Sequence, residues 1–140
     1  MEEVRRAHFA QSRKMIQQFK GREIKTIGDS FMAAFRSVPN ALDYARSLQS
    51  DPGHPRVQIR AGIHIGPMQV DENDVFGGAV NFAARVVGAI KGPEIWLSDQ
   101  AKQDMDGYGA KQYKHLQWQE QKDIQMKGFI GTFILWSLAK

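Results

Sequence analysis

Asp74-Val75-Phe76-Gly77-Gly78-Ala79-Val80-Asn81-Phe82-Ala83-Ala84-Arg85 is the stretch on which the reading of this chain turns. Its glycine pair closes a loop and opens a helix, because helix interiors tolerate glycine poorly and a pair at the entrance lets backbone approach closely. The helix that follows carries Ala79, Val80, Phe82, Ala83, Ala84, Val86 and Val87. It is apolar almost all round, which predicts a buried helix. Asn81 and Arg85 break the pattern four residues apart, on one face and one turn above the other. An amide and a guanidinium on a buried stripe need something polar to face. On the residues alone, solvent or a paired carboxylate meets that need as well as a ligand does.

The chain outward from this helix has 140 residues, the length of a single domain, with 42% hydrophobic residues and no cysteine. It therefore has neither a disulfide framework nor a thiolate metal site. No apolar run is long enough to span a membrane, and the start, Met1-Glu2-Glu3-Val4-Arg5-Arg6, lacks the apolar centre of a signal peptide. A cytoplasmic protein is expected. The net charge of +4 comes from scattered residues rather than an arginine-rich run. An ordinary solvated surface is expected, without nucleic-acid or membrane partners.

Periodicity sets the expected elements. Val4, Phe9, Ile16 and Phe19 place a helix over Glu3 to Lys20, with Gly21 as its stop. Arg22 to Thr26 and Ser30 to Phe35 read as strands joined by a tight turn at Gly28-Asp29, with Phe31, Ala33 and Phe35 facing the core. A helix opens at Pro39-Asn40 and runs through Leu48, burying Ala41, Leu42, Ala45 and Leu48. Val57, Ile59, Ala61, Ile63 and Ile65 alternate with Gln58, Arg60, Gly62 and His64, the clearest strand pattern in the chain. Met68-Gln69-Val70 continues extended into the acidic loop Asp71-Glu72-Asn73-Asp74, which lacks the spacing and closing glutamate of an EF-hand calcium loop. Glu94 to Leu97 reads as a buried strand, and Ser98 as the cap of a helix through Met105. Lys111 to Trp118 and Asp123 to Leu138 read as a closing strand pair, turning near Glu120.

Three motifs, Asp74-Val75-Phe76-Gly77-Gly78-Ala79-Val80-Asn81-Phe82-Ala83-Ala84-Arg85, Lys25-Thr26-Ile27-Gly28-Asp29 and Met126-Lys127-Gly128-Phe129, together resemble the signatures of the class III adenylate/guanylate cyclase catalytic domains (the nucleotidyl cyclase family). Their order and spacing are compatible with that family over essentially the whole chain. The resemblance implies an α+β fold, with a ferredoxin-like βαββαβ-type core and appended C-terminal strands. The helix-strand-strand-helix-strand order here is that core with its first strand absent. The family's first metal-binding aspartate belongs to that strand, and neither Glu2 nor Glu3 has its context. Removing a central strand would leave Ser30–Phe35 and Val57–Ile65 as unpaired edges, so self-association is expected.

The resemblance also implies an activity: conversion of ATP to 3′,5′-cyclic AMP and pyrophosphate, with two Mg2+ or Mn2+ ions in the family. Asp29 matches its second metal aspartate; a turn aspartate satisfying backbone donors is the plainer reading. Arg85 matches the residue that stabilises charge at the pentavalent phosphorus, Asn81 the one that orients the ribose, and Lys127 a phosphate-binding lysine. Lys25 and Asp74 match the purine-reading pair. Lysine only donates and ionised aspartate only accepts, which suits adenine N1 and its amino group rather than guanine. The family sets its sites across an antiparallel homodimer, one chain giving metal carboxylates and the other the remaining residues. A non-catalytic cyclase-homology module that dimerises and binds nucleotide is the alternative. A ferredoxin-like RNA binder would need aromatics exposed on central strands, whereas Phe31 and Phe35 alternate as core residues do.

Overall fold

The computed structural model describes residues 2–67, 69–71, 74–107 and 111–139. The chain divides into two units, the first built from residues up to Ile59 and the second essentially from Arg60 onward.

In the first unit, helix α1 (Glu2–Gln18) buries Phe9, Ser12, Met15 and Ile16, a stripe of helical spacing. Val4 and Phe19, expected on that stripe, lie half-buried at its ends. The helix ends at Gln18, two residues short of the expected Lys20. Lys20 takes the left-handed conformation at φ +59. The Gly21 N–H reaches Ile16 O at 2.7 Å and the Lys20 N–H reaches Gln17 O at 3.1 Å, the bond pair of a Schellman ending.

Strands β1 (Arg22–Ile27) and β2 (Ser30–Ala34) then form an antiparallel hairpin closed by Ile27↔Ser30. Gly28, at φ +59, supplies the positive first turn position that a two-residue type II′ connection requires. Phe31 and Phe35 are half-buried rather than core. Phe31 meets Phe9 edge-on at 4.7 Å and Phe35 meets Tyr44 at 4.9 Å. A two-stranded ribbon has too little area to enclose its side chains, so they are covered by helix residues instead. Helix α2 (Val38–Ser50) starts earlier than expected because Ser37 caps it, its Oγ accepting from the Asn40 N–H at 3.2 Å. Its buried face is Val38, Leu42, Ala45 and Leu48.

The second unit is built on a four-stranded sheet of order β3-β6-β8-β7, from β3 (Ala61–Ile63), β6 (Ile95–Ser98), β7 (Trp118–Gln125) and β8 (Thr132–Leu138). β3 and β6 are parallel and the other pairs antiparallel. Strands β4 (Gln69–Asp71) and β5 (Asp74–Phe76) pair separately. Helices α3 (Gly78–Ala89) and α4 (Asp99–Gly107) pack on the sheet. Phe82, Val86 and Ile90 meet Trp96, Met126 and Leu135 in one core, with Phe129 and Phe133 against it. On the other side of β8, Trp136 donates to Asp99 at 2.9 Å and carries the Lys102 ammonium 4.9 Å from its ring. Among the described residues, no helix is long and apolar enough to cross a membrane.

Three expectations from the sequence need correction here. The nine-residue alternation from Val57 to Ile65 yields only the three-residue β3. Its ladder runs along β6, four residues long, through Ala61↔Ile95 to Ile63↔Leu97, and the Val57 N–H is instead spent in a turn on His54 O. The closing strands lie further along the chain. Lys111–Tyr113 is a 3-10 turn, Leu116 bonds back to Tyr113 O, and the reversal falls at Met126–Gly131, where Gly128 and Gly131 take positive φ. The exposed edge expected along Val57–Ile65 is thereby much reduced. The other edge, β7, carries Glu120, Lys122 and Asp123 with an irregularity between Gln121 and Ile124, features that oppose edge pairing. Finally, α3 is not buried all round: Asn81, Ala84, Arg85 and Gly88 are exposed along one stripe.

Candidate functional site

The tight turn between β1 and β2 presents Asp29 to solvent, its side chain 88% exposed. Arg5 of α1 lies beside it, Nε to Oδ1 at 3.4 Å, and an Arg5 terminal nitrogen reaches Gly28 O at 3.5 Å. Lys25 lies on β1 opposite Met32, just past a register shift between Glu23 and Lys25, and is half-buried. The backbone of Asp74 opens β5, and its side chain lies outside the described residues.

Helix α3 is positioned by its buried side. Gly77 is its N-cap, and the Asn81 N–H closes the first turn on Gly77 O at 3.1 Å. Val80, Phe82 and Val86 are buried. Gly62 of β3 faces the helix so closely that a Cβ there would lie 2.8 Å from Val87 Cγ2 and 2.9 Å from the Val87 backbone nitrogen. Only glycine lets strand and helix backbones approach this far, and any larger residue would lever α3 away. Opposite this anchored face, Asn81 and Arg85 are exposed, and neither side chain is engaged by another described residue. The polar stripe expected to need a partner is thus solvated.

Lys127 sits exposed at the β7–β8 reversal. Its neighbours are anchored: Met126 is buried in the same core as Phe82, and Phe129 meets Phe82 edge-on at 5.1 Å. The Phe129 N–H closes the turn on Met126 O at 3.0 Å. Lys127 and the Asn81–Arg85 stripe therefore share one hydrophobic framework.

His64 is a residue the sequence pattern passed over. Its ring packs 4.6 Å from that of Phe82, and Nδ1 lies 2.7 Å from Ser98 Oγ. Ser98 Oγ also accepts the Ala101 N–H at 3.1 Å. The fully buried Ser98 hydroxyl can give its proton to Nδ1 of a neutral imidazole or accept from an Nδ1–H, according to the tautomer. Burial lowers the His64 pKa. His64 thus ties the end of β3 to both α3 and the start of α4. Alternation alone would place it on an outer strand face, and the strand stops just before it.

Among the described residues, no group of three His, Asp or Glu side chains gathers in a way that would hold a metal ion. Asp29 fits a narrower role. A hard cation such as Mg2+ keeps several waters and takes one or two protein carboxylates plus phosphate oxygens from its substrate. One exposed carboxylate at a turn meets that requirement as a single ligand.

Comparison with known proteins agrees across the chain. The family described as the adenylate and guanylate cyclase catalytic domain matches residues 2–139. A putative adenylate cyclase 3 of Rhizobium meliloti (strain 1021) is 27% identical over 122 residues, covering 81% of this chain and 21% of that protein. An adenylate cyclase of Mycosarcoma maydis is 30% identical over 138 residues, covering 76% of this chain and 6% of that protein. The chain thus spans a small part of the length of these relatives. Among solved structures, an adenylate cyclase from Trypanosoma brucei, described in its monomeric state, superposes with a TM-score of 0.80 at 22% identity. That match covers 99% of this chain and 78% of the other, and it shows the fold.

Proposed function

The chain belongs to the adenylate and guanylate cyclase catalytic-domain family, and from that premise we propose that it acts on ATP, forming 3′,5′-cyclic AMP and pyrophosphate. The observation that carries this reading is α3: one face locked into the core, the other offering Asn81 and Arg85 unengaged to solvent. A helix fixed in this way can hold a guanidinium where charge develops without reorganising at the moment of reaction.

In the proposed reaction the ribose 3′-oxygen bonds to the α-phosphorus as the bond to pyrophosphate breaks, and the hydroxyl proton leaves to solvent. Arg85 stabilises the charge at that phosphorus, and Asn81 orients the ribose. Lys127 holds phosphate oxygens, and Lys25 with Asp74 reads the purine by donor and acceptor type. Bound at Asp29, Mg2+ or Mn2+ would activate the attacking oxygen and neutralise the leaving group. Two copies of the chain are needed in this reading, as a homodimer in which one protomer contributes Asp29 and its partner the other residues. The second reading is a dimerising module that binds nucleotide without turnover.

An assay with Mn2+ and either ATP or GTP tests both readings. Cyclic AMP formation with ATP preferred is the expected outcome, and Lys25→Glu with Asp74→Cys should relax or reverse the preference. Unchanged selectivity in the double variant would refute the purine assignment. Nucleotide binding without product would favour the module.

A further inference from the structure

Arg5 is held more firmly than a surface arginine needs to be. Its guanidinium carbon stands 4.7 Å from the centre of the Phe9 ring, a cation–π contact. Each of its nitrogens also has a neighbour: Nε has Asp29 Oδ1 at 3.4 Å, one terminal nitrogen has Gly28 O at 3.5 Å, and the other has Glu2 Oε1 at 3.9 Å. Phe9 is itself fixed, packed edge-on against Phe31 and flanked by the Arg13 guanidinium at 5.8 Å. Arg13 in turn is paired with Glu23 at 2.9 Å, so the Glu23 charge is already engaged. Arginine cannot shed its charge at any working pH.

We propose that Arg5 is the resident counter-ion of Asp29 and sets the affinity of this carboxylate for a divalent cation. The proposal rests on the reading of Asp29 as a metal ligand. An incoming ion meets an exposed carboxylate with a fixed positive charge 3.4 Å from one oxygen. It must displace the guanidinium or bind next to it, and either costs affinity. Because the pair is exposed, the effect is bounded and sensitive to salt.

The test is Mn2+ binding to the 140-residue chain without nucleotide, followed by the loss of the free-ion electron paramagnetic resonance signal. Arg5→Gln should bind Mn2+ about three- to ten-fold more tightly than wild type at low ionic strength, with the gap closing as salt rises. Arg5→Lys carries the test independently of any folding defect in the first variant. It keeps the charge but not the three-way fork, and should bind roughly two-fold more tightly. Asp29→Asn should lose the ion whether or not Arg5 is present. If Arg5→Gln matches or falls below wild type while Asp29→Asn loses the ion, the proposal is overturned and the metal reading stands. If Asp29→Asn binds as wild type does, the metal reading itself fails and the proposal falls with it.

Discussion

No residue of the β1–β2 ribbon is fully buried, whereas α3 sinks Val80, Phe82 and Val86 into its unit's core. Both present polar side chains for the proposed chemistry. The ribbon holds Asp29 by a turn and by pairing with Arg5, interactions made in water. The helix holds Asn81 and Arg85 by packing on the opposite face. Surface pairs contribute little to stability, while buried aromatic contacts contribute several times more. A charge that must stay fixed belongs on the helix. A carboxylate that must accept an ion and release it can sit on the softer ribbon.

The sharpest way to break this contrast is to shave one aromatic from each region. Phe82→Ala removes a side chain touching His64, Phe129 and Phe133. It should cost about 3–5 kcal/mol in urea unfolding. Phe31→Ala removes a half-exposed ring and should cost roughly half of that or less. Equal losses would mean that the ribbon is as rigid a support as the helix. The next largest effect separates the two faces of α3. Arg85→Ala should leave the urea midpoint nearly unchanged, because the side chain is exposed, yet lower kcat by about 10²-fold or more. A change confined to KM would assign Arg85 to ground-state phosphate binding instead.

The smallest effect concerns His64. Its pKa is lowered in the folded chain relative to an ordinary value of 6.5, chiefly because burial disfavours the charged ring. The unfolded chain therefore binds a proton first as pH falls. The resulting stability is present above about pH 6.5 and drains away below it, as the folded-state pKa is approached. His64→Gln should flatten the acid side of the stability–pH curve, followed as urea midpoints from pH 7 to pH 5. An unaltered acid-side slope would show that other groups set it.

Much of this was legible in the chain itself. The glycine pair did open α3, Ser98 did cap α4, and Gly28-Asp29 did make the hairpin turn, each because the signal lies within a few residues. Family membership was legible for the same reason, through motifs whose residue types are dictated by chemistry. The closing hairpin was not. The segment before Trp118 reads as extended, yet Lys111–Tyr113 forms a 3-10 turn and Leu116 bonds back to Tyr113 O, while β7 begins at Trp118 along β8.

The sequence by itself determined where the helices lie, the Gly28-Asp29 turn and the identity of the candidate site residues, since caps, glycines and apolar spacing act locally. Tertiary structure decided how long β3 runs, because a strand extends only as far as its ladder partner β6 allows. It decided that α3 has a bare face, because periodicity shows which residues are apolar but not how many of them find a neighbour. It also decided that Arg5 stands beside Asp29 and His64 beside Phe82 and Ser98. Those pairs join residues 24, 18 and 34 positions apart, and only packing brings such distant residues to contact.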